Sequence, residues 1–241
     1  MPKASRIEPE FVKKIKLSKD TYEFYFSRPF GFKFKAGQYL KWTLPIRNPD
    51  SRGSSRYFTI SSSPENSEYL TITTRVIKSS FKKKLLRLKK GEKVKAFGPL
   101  GYFDFNIKNK KQKIFLAGGI GLTPYHSILT SIDGKKNIPP VCFFVSFSKK
   151  DEVVYFDLFK HIEKRNPKVK IIYTLTKESK PVLGLEQGRI NKDLINKYCP
   201  DYKKAEFYVV GSEAMKAGLL QMLKEMRIPK KNIFSENFPG Y

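Results

Sequence analysis

The sequence predicts two domains of different class: an antiparallel β-barrel over residues 1–108, followed by an open α/β domain on a parallel sheet over residues 109–241. Three observations predict it. Short aromatic and β-branched segments, separated by Gly, Pro and Asn, fill the N-terminal part, as half-buried antiparallel strands do. From about residue 110 onward, continuous apolar runs alternate with amphipathic stretches, the pattern of buried parallel strands and their covering helices. Where the two patterns meet stands KIFLAGGIGLTPYHSIL, residues 113–129, an apolar run that enters a glycine cluster and leaves it through Thr-Pro.

The barrel strands are read in order from TYEFYF (from Thr21), QYLKWTL (from Gln38), RYFTIS (from Arg56), EYLTITTRVI (from Glu68) and KVKAFG (from Lys93). KSSFKKKLLRLKKGEKVK, residues 78–95, places Phe81, Leu85, Leu86 and Leu88 near helical spacing among lysines, so a surface helix with a buried stripe is expected. The lysine-rich NIKNKKQ, residues 106–112, is the expected hinge. In the second half the strands are KIFLAGG, VCFFVSF, KVKIIYTLT and EFYVVGS, and the helices TPYHSILTSI, YFDLFKHIEKR, NKDLINKY and EAMKAGLLQMLKEMR.

Composition narrows the function. Two cysteines, Cys142 and Cys199, cannot build a disulfide framework or a four-thiolate zinc or iron-sulfur site, so no metal is expected and redox chemistry would need an organic cofactor. The start, MPKASRIEPEFVKKIKL, has no apolar signal-peptide core, and no stretch approaches membrane-spanning length; the expected location is the cytoplasm. The 48 Lys and Arg against 22 Asp and Glu leave a formal charge of +26. Such a surface suits nucleic acid, an anionic membrane or an acidic protein, but the lysines are scattered and no nucleic-acid module motif is present, so nucleic acid is not the expected partner.

A strand that runs through glycines into a helix aims backbone N–H groups and the positive helix end at one spot, where a diphosphate would sit. A tight turn needed only for packing accounts for Gly118, Gly119 and Gly121 equally well, and the spacing departs from the usual G-x-G-x-x-G.

The order of motifs decides between these. RYFTISSSP lies in the barrel half, GPLGYF closes it, AGGIGLTP opens the α/β half, YVVGSEAM begins the last strand-helix unit, and SENFPGY ends the chain. This succession resembles the ferredoxin-NADP reductase superfamily, from about residue 8 to Tyr241, in the form without an iron-sulfur domain. The resemblance implies a flavin-binding barrel and a nicotinamide-dinucleotide domain, with FAD rather than FMN as the bound flavin.

It also assigns residues. In Arg56-Tyr57-Phe58-Thr59, Arg56 would clamp the flavin phosphates, Phe58 would stack on the isoalloxazine, and the Thr59 hydroxyl would lie near the hydride-accepting N5; Tyr57, at the motif's variable position, is counted with them among the cofactor-binding residues. Arg75, Ser79 and Ser80, with Lys82 adding charge, resemble the pyrophosphate-binding segment, although a plain helix cap fits Ser79 or Ser80 too. Gly118, Gly119, Gly121, Thr123 and Pro124 would line the dinucleotide, with Thr123 the main polar contact. Gly211 and Met215 match the family's C-G-P-x-x-M, while Val210 replaces its cysteine and Ser212 its proline. Ser146 matches part of a 2′-phosphate motif, and Lys149, Lys150 or Lys177 would serve as point charges; NADPH and NADH both stay open. In the tail, Glu236 would relay a proton or orient the nicotinamide, and Phe238 or Tyr241 would cover the flavin. His126 and His161 are assigned to no chemistry.

The implied activity is hydride transfer from NAD(P)H to bound FAD, with electrons then passed to a separate acidic acceptor, ferredoxin or flavodoxin. Service to an oxygenase, a cytochrome or a larger complex is an alternative. A non-catalytic nucleotide- or nucleic-acid-binding protein on the same fold, suggested by Val210 and the basic surface, is another.

Overall fold

A computed structural model describes residues 2–101 and 107–235. In its first part the chain forms β1 (Ser5–Ile7), β2 (Phe11–Lys16), β3 (Thr21–Ser27), β4 (Tyr39–Thr43), β5 (Ser55–Thr59), β6 (Tyr69–Arg75), helix α1 (Ser80–Leu86) and β7 (Lys95–Leu100). The strands are antiparallel, as expected, and divide into a four-stranded sheet β1-β7-β4-β5 and a three-stranded sheet β2-β3-β6. Two crossings join them. Past the end of β5, Ile60 N–H still donates to Gln38 O beside β4, whereas the next residue, Ser61, donates to Thr71 O on β6 at 2.8 Å. On the opposite side Phe11 N–H donates to Glu92 O and Val94 N–H to Pro9 O.

Side-chain alternation fills the interior. In β4 only Leu40 and Trp42 are buried, and Trp42 packs on Phe26 of β3 with ring centroids 4.6 Å apart. Helix α1 closes one side of this core with Phe81 and Leu85, both buried, while Lys83 and Lys84 lie in its last turn, where the helix dipole favours cations. The helix is shorter than the apolar spacing suggests: it ends at Leu86, and Leu88 reaches the core from the turn that follows.

The second part contains β8 (Lys113–Gly118), α2 (Thr123–Ile132), β9 (Val141–Phe147), α3 (Phe156–Arg165), β10 (Val169–Leu175), β11 (Glu186–Gln187), α4 (Lys192–Tyr198), β12 (Glu206–Val210), α5 (Glu213–Glu225) and β13 (Ile233–Ser235). The strands form one parallel sheet in the order β11-β10-β9-β8-β12-β13. Every residue of β9 and β12 is buried, which is why their sequences are mostly apolar, interrupted only by Ser146 and by Glu206 at the start of β12. On one face the in-register rings of Phe143, Phe115, Tyr208 and Phe234 stack across four neighbouring strands, with centroids 4.5, 4.7 and 4.9 Å apart.

Grouped by contacts, residues 123–131 of α2 belong with the barrel. There the buried His126 holds its Nδ1 2.6 Å from the Ser61 carbonyl, and Ser127 Oγ donates to the Ser62 carbonyl at 2.7 Å. Among the described residues no helix is long and apolar enough to cross a membrane. β1, β11 and β13, two or three residues each, escape sequence reading because pairing alone makes them strands, and β2 is masked by four exposed residues in six.

The start of β8 carries a buried ion pair with the start of β12. Lys113 is fully buried, its Nζ donates to Glu206 Oε2, and Asn109 Nδ2 donates to Glu206 Oε1 at 2.6 Å. Glu206→Gln leaves the ammonium buried without a counter-charge and should destabilise the fold by about 3–5 kcal/mol, most of it recovered when Lys113→Met is added. Denaturant unfolding of the single and double variants checks this, and a Glu206→Gln loss below about 1 kcal/mol would show that Lys113 does not need the pair.

Candidate functional site

Each part of the fold carries one cluster of the expected site residues. In the barrel the cluster is built around Arg56. The register pairs Arg56 with Trp42 and Phe58 with Leu40, so both side chains leave β5 on its core-facing side, and both meet Phe81 of α1. The Arg56 Cζ lies 5.5 Å from the Phe81 centroid, and the Phe58 ring lies 5.7 Å from it. Tyr57 and Thr59 leave on the other side, paired with Lys41 and Tyr39; the Tyr57 ring stands edge-on to Tyr39 at 5.7 Å, and Thr59 is buried.

Arg56 is only 6% exposed and held from below. Its Nη1 donates to the carbonyls of Arg52, Gly53 and Ser55 at 2.7–2.8 Å. Its Nη2 donates to Asp50 Oδ1 at 2.6 Å, and its Nε is buried with no hydrogen-bond partner. Asp50 ties this guanidinium to α1, because its Oδ2 accepts from Ser80 N–H at 3.0 Å while its own N–H donates to Ser80 Oγ at 2.9 Å. Desolvation works against the Asp50 carboxylate, but the Ser80 and Arg52 N–H groups, the Ser80 hydroxyl and the Arg56 charge hold its pKa well below the usual range. Ser79 caps α1, its Oγ accepting from Lys82 N–H.

Lys82 Nζ donates to the Arg75 carbonyl at 2.9 Å. Burial, and then the charges of Arg52, Arg56 and Arg75, push its pKa down to about 8. Arg75 itself faces Asp20 at 3.9 Å. An unpaired N–H on a buried guanidinium, beside an ammonium destabilised by other cations, fits a polyphosphate chain.

In the sheet the cluster lies along the carboxyl edge. β8 has β9 on one side and β12 on the other, so the chain direction of crossover reverses at its end, where α/β sheets open a ligand crevice. Gly118 ends β8 in register with Ser146, a 3-10 turn follows over Gly119–Leu122, and α2 starts at Thr123. Thr123 and Pro124 are both buried. The three glycines have three different reasons. A Cβ on Gly118 would collide with Met215 Sδ, and one on Gly121 would lie 3.4 Å from Gly211 Cα and Val210. Gly119 takes φ +50 and faces open space. Room at Gly119, at the switch point and before a helix, fits a dinucleotide backbone.

Ser212, in place of the expected proline, caps α5 by accepting from Met215 N–H at 3.4 Å. Val210 is fully buried. Lys149, Lys150 and Lys177 are exposed just past β9 and β10, on the same edge. Glu236, Phe238 and Tyr241 lie outside the described residues. His126 serves packing, and burial pushes its pKa down. Sequence reading missed Asp50; its signal was an acid in a turn-rich stretch six residues before Arg56.

Gly118→Ala forces Met215 aside and should cost about 1–3 kcal/mol, largely relieved by Met215→Ala in the same chain. Thermal unfolding of the three variants tests the coupling, and an unaffected Gly118→Ala would mean that Met215 is free to swing away.

Two family models match the chain. Residues 9–105 match the oxidoreductase FAD-binding domain family and residues 115–220 the oxidoreductase NAD-binding domain family. The chain is 25% identical over 219 residues to the reductase component of propane 2-monooxygenase from Rhodococcus jostii, covering 87% of this chain and 57% of that protein. It is 29% identical over 159 residues to a subunit of the Na(+)-translocating NADH-quinone reductase of Pseudoalteromonas atlantica, covering 64% of this chain and 38% of that one. The chain thus spans only part of the length of these relatives. In fold it is similar to a ferredoxin NADP+ reductase from Neisseria gonorrhoeae with bound FAD and NADP, at TM-score 0.79 and 18% identity, covering 96% of this chain and 98% of that one. With the two family models together covering most of the chain, it belongs to the oxidoreductase FAD-binding and NAD-binding domain families and has the fold of a ferredoxin-NADP reductase.

Proposed function

We propose that this oxidoreductase passes reducing equivalents from NAD(P)H to a separate acidic protein, a ferredoxin or a flavodoxin, and that it works in the cytoplasm. The observation that carries the reading is the Arg56 cluster, in which a buried cation keeps a hydrogen-bond donor free for an anion. A bound FAD would supply the redox chemistry, acceptance of a hydride and release of electrons.

The chain's own residues bind and orient. Arg56, with Lys82, Arg75 and the Ser79-Ser80 helix start, would hold the flavin phosphates. Phe58, on the same side of β5 as Arg56, would carry the ring, and the Thr59 hydroxyl would hydrogen-bond near its reacting nitrogen. At the sheet edge, Gly119 would admit the dinucleotide diphosphate, with Gly118 and Gly121 keeping Met215 and Gly211 close beneath it. Thr123 and Pro124 would flank the nicotinamide approach, and Ser146 with Lys149, Lys150 and Lys177 would face the adenosine end. Those lysines favour NADPH over NADH as point charges for a 2′-phosphate. Val210 would leave the nicotinamide side of the site without a thiol. In the tail, Glu236, Phe238 and Tyr241 keep their family roles as part of the proposal.

The +26 charge supports an acidic acceptor. The relatives favour a second reading, in which the chain is the reductase part serving an oxygenase or a quinone-reducing complex.

Anaerobic mixing of flavin-loaded protein with NADPH, and separately NADH, should bleach the flavin absorbance with at least one of them, faster with NADPH; no bleaching by either, with flavin bound, would remove the hydride-transfer reading. Reduction of an acidic acceptor should slow steeply as salt rises from about 0.05 to 0.5 M, and a salt-independent rate would remove electrostatic steering.

A further inference from the structure

The Arg56 guanidinium is already in contact with an anion, and that anion belongs to the chain. We propose that the Asp50 carboxylate occupies the phosphate seat on Arg56, and that a phosphate-bearing ligand binds there by displacing it. The inference rests on the reading of Arg56 as the anchor for the flavin phosphates.

Three observations carry it. Nη1 is held by three backbone carbonyls at 2.7–2.8 Å, so the guanidinium is positioned without Asp50. Asp50 meets the remaining edge through Nη2 alone, and the neighbouring Nε is left buried and unpaired. Nε and Nη2 lie along one edge of the planar group, and the paired oxygens of a phosphate satisfy both where Asp50 satisfies one. Finally, the Asp50 side chain is 29% exposed, so it can turn to water without leaving a charge buried in the protein.

The contacts of Asp50 with its other partners match this role. Ser80 N–H and Arg52 N–H donate to it at 3.0 and 3.1 Å, and Arg52 Nη2 lies 3.6 Å away. All are donors that a phosphate oxygen accepts as readily as a carboxylate oxygen does. While Asp50 is seated, only the fraction of molecules with the seat open binds, and the apparent affinity falls by that fraction.

The test uses the 241-residue chain stripped of flavin, titrated with FAD and with ADP by fluorescence quenching or calorimetry, so that binding is read rather than turnover. Asp50→Asn keeps the size and hydrogen-bonding shape of the residue, and Asp50→Ala removes it; melting curves confirm that each variant folds. Both should bind FAD more tightly, by about fivefold or more if the seat is occupied most of the time. Arg56→Gln should weaken binding, and in that background the gain from Asp50→Asn should largely vanish. Unchanged or weaker binding by the Asp50 variants, with Arg56→Gln still harmful, would overturn the displacement while leaving Arg56 as the phosphate anchor. A gain that persists undiminished with Arg56→Gln would mean through-space repulsion and would also overturn it. Indifference of FAD binding to Arg56→Gln would overturn the anchor reading, and the inference with it.

Discussion

The crossing of the chain from one sheet to the other after β5 is the constraint on which the barrel depends. Within two residues the backbone donor changes partner from Gln38 O to Thr71 O, because a buried N–H must be paired wherever the strand goes. That crossing ends the pairing of β5 with β4 and starts the contact with β6. It turns Arg56 and Phe58 toward the core and leaves the Ser61 and Ser62 carbonyls for His126 and Ser127 of α2. Ser61 Oγ adds contacts to Thr71 and Thr73 at 2.9 and 3.0 Å, so the junction is satisfied through side chain and backbone together.

Charge behaves differently at the surface and inside. Most of the lysine excess is solvated and says little about stability, since exposed pairs contribute on the order of 1 kcal/mol or less. Two of the buried cations are paired in different ways. Lys113 is matched by a carboxylate supported by Asn109, which makes it a structural pair. Arg56 is matched on one edge by carbonyls and on the other only in part. The same residue class thus yields a closed site at the base of β8 and an open one beside α1.

The glycine cluster shows why one motif can serve packing and binding together. Gly118 and Gly121 are small because Met215 and the end of β12 press on them, and Gly119 takes a positive φ that side chains resist. The approach of α5 to the end of β8 needs the first pair, and the 3-10 turn that delays α2 needs the third.

Periodicity made most elements legible from the chain alone: the switch from alternating to continuous apolar runs placed the two classes, and α2, α3, α4 and α5 lie where their amphipathic stretches stand. The ordered motifs pointed to the family because backbone approach and phosphate binding demand particular residues at particular places. Short strands such as β11 and β13 were not legible, since only their neighbours hold them. Nor was Asp50: its six-residue separation from Arg56 says nothing of direction, and a turn brings its carboxylate onto the guanidinium and the start of α1. Which of the longer segments become strands and helices, and which family their motifs point to, can be read along the chain because both follow from local pattern. Which polar atoms are paired, and which buried donor is left open, emerges only on folding, because pairing depends on contacts between residues far apart in the chain.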